Sequence, residues 1–208
     1  MKALLYKDLV SGKSTYLLAL VIMLFVAFYV TSNGAMILIP ILFVFMPMLL
    51  NTVSFRNEST SDFPKFAFTT PFTREDYVKS KYSVAILFGI MALISGFILF
   101  YHEYESLNLA LIIGAAFFAL PIIISAIQIP FILKFNEEKG GIIVVATNFL
   151  IFALAHFMGD SLGRLIILIQ KLSYLNVYLT AGVIFAITII VFTVSKNIGV
   201  AITKRKEY

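Results

Sequence analysis

Residues 14–55 form a run of 42 positions without one charged side chain. A water-soluble globule has nowhere to put such a run, because its surface needs polar groups at short intervals. A helix crossing a bilayer needs about 20 mostly apolar residues, so this run alone is long enough for two crossings. Ser32, Asn33 and Gly34 are turn formers near its middle and mark a tight reversal between them. The rest of the chain agrees. Of its 208 residues 61% are hydrophobic and 13% charged, against about 25% charged in soluble domains, and mean hydropathy is +0.98. The chain reads as an integral membrane protein.

Continuous apolar runs predict helices, since barrel strands would alternate lipid-facing and lumen-facing residues. The expected fold is all-α, with six transmembrane helices at about 15–32, 34–55, 82–101, 107–133, 141–158 and 174–195, forming a single transmembrane domain over 1–208. An N-terminal amphipathic helix is expected over 2–10, where Leu5, Tyr6 and Leu9 oppose Lys2 and Lys7. A second amphipathic segment is expected between spans five and six, where Leu162, Leu165, Ile166, Ile169 and Leu172 recur at spacings of three and four. Run four is long for one crossing, and Pro121 and Pro130 are its natural bend points. Fourteen of the sixteen Lys and Arg fall on the N-terminus, the 2–3 loop, the 4–5 loop and the tail. Cytoplasmic loops carry that excess, which puts both termini in the cytoplasm. The net charge of +5 is thereby explained by topology, with no nucleic acid needed.

The longest loop, 56–81, is too short for a soluble domain. In it Thr73-Arg74-Glu75-Asp76 reads as a capping box, with Thr73 accepting the Asp76 N–H and a helix starting near Arg74. Upstream, residues 58–68 mix Glu58, Asp62 and Lys65 with Phe63, Phe66 and Phe68. This stretch is either an interfacial loop whose rings dip into lipid or a docking surface for a partner in the cytoplasm.

Most candidate chemistry fails on spacing. Ser11-Gly12-Lys13-Ser14-Thr15 echoes the end of a phosphate-binding loop, but the required glycine five positions before Gly12 is Lys7. His156, Asp160 and Glu137-Glu138 echo fragments of the intramembrane CAAX-type protease pattern, yet Ile142 stands where that pattern needs arginine. There is no cysteine, hence no disulfide or thiolate site, and no catalytic residue or metal site is expected. No span contains Asp, Glu, Lys or Arg, so a proton relay of the usual kind is missing. The polar groups at depth are Asn51, Gln128 and Asn148, which either hydrogen-bond between helices or line a substrate path. Any energy must come from outside the chain.

An N-terminal amphipathic helix, six spans, a long first cytoplasmic loop and an amphipathic segment before the last span resemble the permeases of ABC-2 type transporters. The most specific stretch runs from Thr70-Pro71-Phe72-Thr73-Arg74 to Lys79-Ser80-Lys81-Tyr82, and the 130–140 stretch is similar to the family's second cytoplasmic loop. The resemblance implies a permease subunit of the bacterial cytoplasmic membrane. It would pair with a second copy or a sister permease and with two cytoplasmic ATPase subunits, which would bind ATP and Mg while this chain holds no cofactor. ATPase coupling would fall on Glu58, Asp62, Phe63, Lys65, Phe66 and Arg74, with a second contact through Leu5 and Lys7. Small permeases of this kind look like exporters of hydrophobic or amphipathic peptides, antimicrobial or toxin-like. A membrane scaffold or immunity protein is the alternative, and an intramembrane protease a more distant one.

Overall fold

The computed structural model describes residues 4, 6–7, 10, 13–32, 39–61, 63, 73–157 and 176–206, with only the backbone described over 136–157. Five long helices follow in order: α1 (Lys13–Ser32), α2 (Ile39–Thr60), α3 (Arg74–Tyr104), α4 (Leu107–Phe157) and α5 (Val177–Arg205). No strand occurs among the described residues.

α3 starts where its cap dictates. Thr73 is extended (φ −80°, ψ 151°) and accepts the Asp76 N–H at 3.0 Å, while its hydroxyl donates to the Asp76 carboxylate at 2.7 Å. Glu75 and Asp76 in the first turn favour the positive end of the helix dipole. At the far end Glu105 adopts a left-handed conformation (φ 47°) and donates its N–H to Tyr101 O at 2.9 Å, a role glycine usually fills. Ser106 then caps α4 through Leu109 N–H. The reversal from α3 to α4 therefore needs only Glu105 and Ser106. α5 opens on Asn176, whose side chain accepts Leu179 N–H at 3.3 Å, and ends on Lys204 and Arg205, which suit the negative end of the dipole.

Helix bounds differ from the apolar runs at three places. α2 continues through Arg56, Asn57 and Glu58 to Thr60, beyond the last apolar residue Phe55, and α5 runs ten residues past Ser195. α4 is one helix of 51 residues where the sequence suggests a loop between two spans. Lys134, Glu137, Glu138 and Lys139 mark a boundary of polarity, yet no proline stands among them to stop a helix. At 1.5 Å per residue such a helix is about 77 Å long, over twice the roughly 30 Å hydrocarbon thickness. Its Leu107–Phe135 part is the apolar span.

Four described helices are long and apolar enough to cross a membrane: α2, α3, the Leu107–Phe135 part of α4, and α5; Leu20–Tyr29 within α1 is a shorter apolar helix. The side chains of the fifth expected span, the external amphipathic segment and most of the 2–10 helix lie outside the described residues, although Leu4, Tyr6, Lys7 and Val10 are helical.

α2, α3 and α4 pack mutually, α5 lies against α4 and α3, and among the described residues α1 touches only α2. Small residues bring α3 and α4 together. Ala85, Gly89, Ala92 and Gly96 recur at spacings of four, three and four and are all buried. A Cβ on Gly96 would sit 2.8 Å from the Phe117 ring, and one on Gly89 would sit 3.2 Å from Phe118 O. Close approach of small residues is how helices associate in lipid, where apolar burial supplies no drive. Two clusters fill the remaining interior, one around Met48, Phe55, Val78, Tyr82, Ile129 and Leu133, the other around Phe100, Leu109 and Ile113 near the α3–α4 turn. Phe25 and Phe28 on α1 and Ile189 and Ile190 on α5 are more than half exposed, as lipid-facing side chains are.

Candidate functional site

At the end of the bundle where α2 finishes and α3 begins, charge is buried. Ser54 and Glu58 lie four residues apart on α2, and Tyr77 and Lys81 four apart on α3, so each pair occupies one helix face. The two faces meet. Lys81 Nζ donates to Glu58 Oε1 at 2.6 Å and to Ser54 Oγ at 2.5 Å, and Tyr77 OH donates to Glu58 Oε2 at 2.6 Å. Lys7, from the N-terminal segment, makes a further ion pair with Glu58 Oε1. Glu58 is 3% exposed and Lys81 1%.

One carboxylate thus faces two ammonium groups in a dry setting. Both ammonium groups also lie against aromatic faces. Lys81 Nζ lies 5.0 Å from the Phe55 ring centre and 5.4 Å from that of Tyr77, and Lys7 Nζ lies 3.8 Å from that of Phe63. Cations over aromatic rings gain about 0.5–2 kcal/mol, more when desolvated. The cluster joins three segments, namely the N-terminal stretch, the end of α2 with Phe63 beyond it, and the start of α3.

α5 is tied to the same end. Arg74, the first residue of α3, donates to Thr203 O near the end of α5, and Lys196 lies 3.8 Å from Glu75, which also pairs with Lys79 at 2.8 Å. Lys206 Nζ donates to Leu133 O at 3.3 Å and so reaches α4.

Of the residues the sequence suggested for coupling, Glu58, Lys7 and Phe63 come together, and Arg74 sits nearby on the α5 contact. Glu58 is not in the 56–81 loop as the sequence suggested: it lies in the last turn of α2 and is buried, because α2 runs on past its apolar stretch to Thr60. Leu5, Asp62, Lys65 and Phe66 lie outside the described residues. Lys81, Tyr77 and Ser54 escaped sequence reasoning. Their signal was present in the paired four-residue spacings, but nothing local showed that the two faces meet.

One or two turns deeper lies a second polar group. Gln128 Nε2 on α4 donates to Met48 O at 3.0 Å and Thr52 Oγ1 at 2.9 Å on α2. Asn51 is on the same part of α2 and Ser125 one turn before Gln128. Both are buried. Neither Asn51 amide atom has a hydrogen-bond partner among the described residues, and neither do Ser125 Oγ and Gln128 Oε1. So Asn51 and Gln128, suggested for a substrate path, share one interface, while the Asn148 side chain lies outside the described residues. α2 and α4 thus hold donors and acceptors at membrane depth that no described residue meets.

The comparisons with known proteins agree with an embedded transport component. A family model described as ABC-2 family transporter protein matches residues 3–204. No curated protein and no solved structure matches the chain. With nearly the whole length covered, the chain belongs to the ABC-2 family of transporter membrane proteins.

Proposed function

We propose that this protein is the permease subunit of an ATP-driven exporter in the bacterial cytoplasmic membrane, with both termini in the cytoplasm. It works with a second copy or a sister permease and with two ATP-binding-cassette ATPase subunits, which bind ATP and Mg; this chain carries no cofactor. The observation that carries this reading is the buried Glu58 cluster. It fastens the N-terminal segment, the end of α2 and the start of α3 into one block, with Phe63 held on Lys7. A push on the loop beyond Glu58 is then delivered to two spans together instead of being lost in loop motion. Breaking a buried ion pair at one partner costs about 3–5 kcal/mol, enough for the block to move as a unit. Asp62, Lys65 and Phe66 extend the docking stretch, and Leu5 adds the N-terminal contact.

The cargo we propose is a hydrophobic or amphipathic peptide, antimicrobial or toxin-like in character. Apolar helix faces accept its side chains, and the open amide of Asn51 and the open Oε1 of Gln128 offer partners to a peptide backbone that has left water. The test is co-expression with the cognate ATPase. Membranes holding this chain alone should hydrolyse no ATP above background, and the pair should purify as a stable complex. Phe63→Asp combined with Phe66→Asp should abolish that complex; if the complex survives, the docking assignment falls.

A further inference from the structure

Between α4 and α5 runs a groove of about 920 Å³ that the coupling cluster does not touch. Its walls are apolar, and Ile127, Phe131, Val194 and Ile198 stand exposed along it. Its mouth is cationic: Lys134, Arg205 and Lys206 line that end, and no carboxylate lines the groove among the described residues. Lys206 is anchored to the rim through Leu133 O, so its charge is held in place there.

The dimensions select an occupant. Along α4 the lining runs from Ala126 to Phe135 and along α5 from Ile190 to Arg205, about 14 Å and 22 Å at 1.5 Å per residue. Half the hydrocarbon core is about 15 Å deep. The groove is therefore one leaflet deep, too short to seat a membrane-crossing helix from a second copy and deep enough for an acyl chain. Charge is complementary as well, because the cationic end is the one that carries the excess of Lys and Arg and so faces the anionic cytoplasmic leaflet. Basic pockets between spans on that side suit lipid headgroups bearing phosphate.

We infer that the α4–α5 groove is a binding site for an anionic phospholipid of the cytoplasmic leaflet. The phosphate lies among Lys134, Arg205 and Lys206, and an acyl chain lies along Phe131, Ile127, Val194 and Ile198. The site stands on the membrane embedding alone and not on the transport reading, so either can fail without the other.

The full-length chain in neutral detergent is titrated with phosphatidylglycerol or phosphatidylcholine, and retained lipid is read by native mass spectrometry. Phosphatidylglycerol should be retained preferentially, and each of Lys134→Gln, Arg205→Gln and Lys206→Gln should weaken retention about fivefold. Val194→Trp, which leaves the charges in place but obstructs the groove, should weaken retention too. Inorganic phosphate at equal concentration should not displace the lipid. Equal retention of the two lipids, or a triple Gln variant that keeps the preference, overturns the proposal. So does displacement by phosphate alone, or a Val194→Trp variant whose only change is in oligomeric state.

Discussion

Ser195 donates its hydroxyl to the carbonyl oxygen of Ala126 at 2.5 Å. That oxygen is the one Pro130, four residues on, leaves without an amide, since proline has no N–H to return. Ser195 Oγ also contacts Tyr82 OH. Its single proton is committed to the carbonyl, so Tyr82 is the donor in that second bond. A break in the α4 ladder is thus repaired from α5, and the repair is held from α3. In hydrocarbon an open backbone carbonyl costs several kcal/mol, so this arrangement fixes how three helices sit on one another.

The repair predicts a coupling between Ser195 and Pro130. Ser195→Ala should destabilise the protein by about 1–3 kcal/mol, the usual penalty for leaving a buried acceptor open. Pro130→Ala restores an amide to Ala126 O, so Ser195→Ala should cost less in that background. Unfolding in mixed detergent with a double-mutant cycle measures the difference. Strict additivity would mean that the carbonyl finds another partner.

Glu58 and its cations predict the opposite pattern from a surface salt bridge. Glu58→Gln removes the carboxylate that Lys81 and Lys7 share and should cost about 3–5 kcal/mol, whereas Lys81→Met leaves that carboxylate paired with Lys7 and should cost about 1.5–3 kcal/mol, the value of hydrogen bonds to a charged group. Glu58→Leu with Lys81→Met removes both charges and should cost less than the two single changes summed. If the single changes cost under about 1 kcal/mol, the value typical of exposed pairs, the cluster is solvated.

How far the sequence revealed these features depends on how local their causes are. The start of α3 was legible because Thr73, Glu75 and Asp76 lie within one turn and their hydrogen bonds form there. Four of the expected spans were legible among the described residues, because hydrocarbon imposes a composition on every residue it touches. Glu58 was placed on the wrong element because the span was taken to end where charge begins, whereas a charged residue does not by itself end a helix. Its partner Lys81 is 23 residues away, and Ser195 meets Ala126 across 69. No periodicity reports on such pairings. At α4 too a change of polarity, from Lys134 to Lys139, looked like a loop where the helix runs on.

The α3–α4 approach can be tested with an internal control. Gly96→Ala places a Cβ 2.8 Å from the Phe117 ring, and that ring is also in contact with Phe100, 6.1 Å between centres. The ring has little freedom to yield, so a loss of about 1–3 kcal/mol is expected from overpacking. Gly182→Ala, with nothing within 4 Å, should be neutral or stabilise by up to about 1 kcal/mol from better helix propensity. Both are read as shifts in thermal unfolding in the same detergent. Equal responses would mean that α3 and α4 do not touch at Gly96.

Asn51 separates stability from transport. Both atoms of its amide are buried and unpartnered among the described residues, which is a steady energetic penalty in a bilayer interior. A residue kept only for packing would be better as leucine, which has the same branched heavy-atom skeleton and no open polar group. Asn51→Leu should therefore stabilise the chain by about 1–3 kcal/mol. If the amide meets cargo, the same change should reduce ATP-dependent peptide uptake into inverted vesicles by about tenfold, the equivalent of one hydrogen bond of roughly 1.4 kcal/mol lost from binding. Asn51→Asp should not rescue uptake, since a carboxylate keeps the acceptors and loses the donor. A leucine variant that is more stable and fully active would reassign Asn51 to a bound water and take it off the substrate path. A leucine variant that is less stable would show that its amide has a partner within the fold.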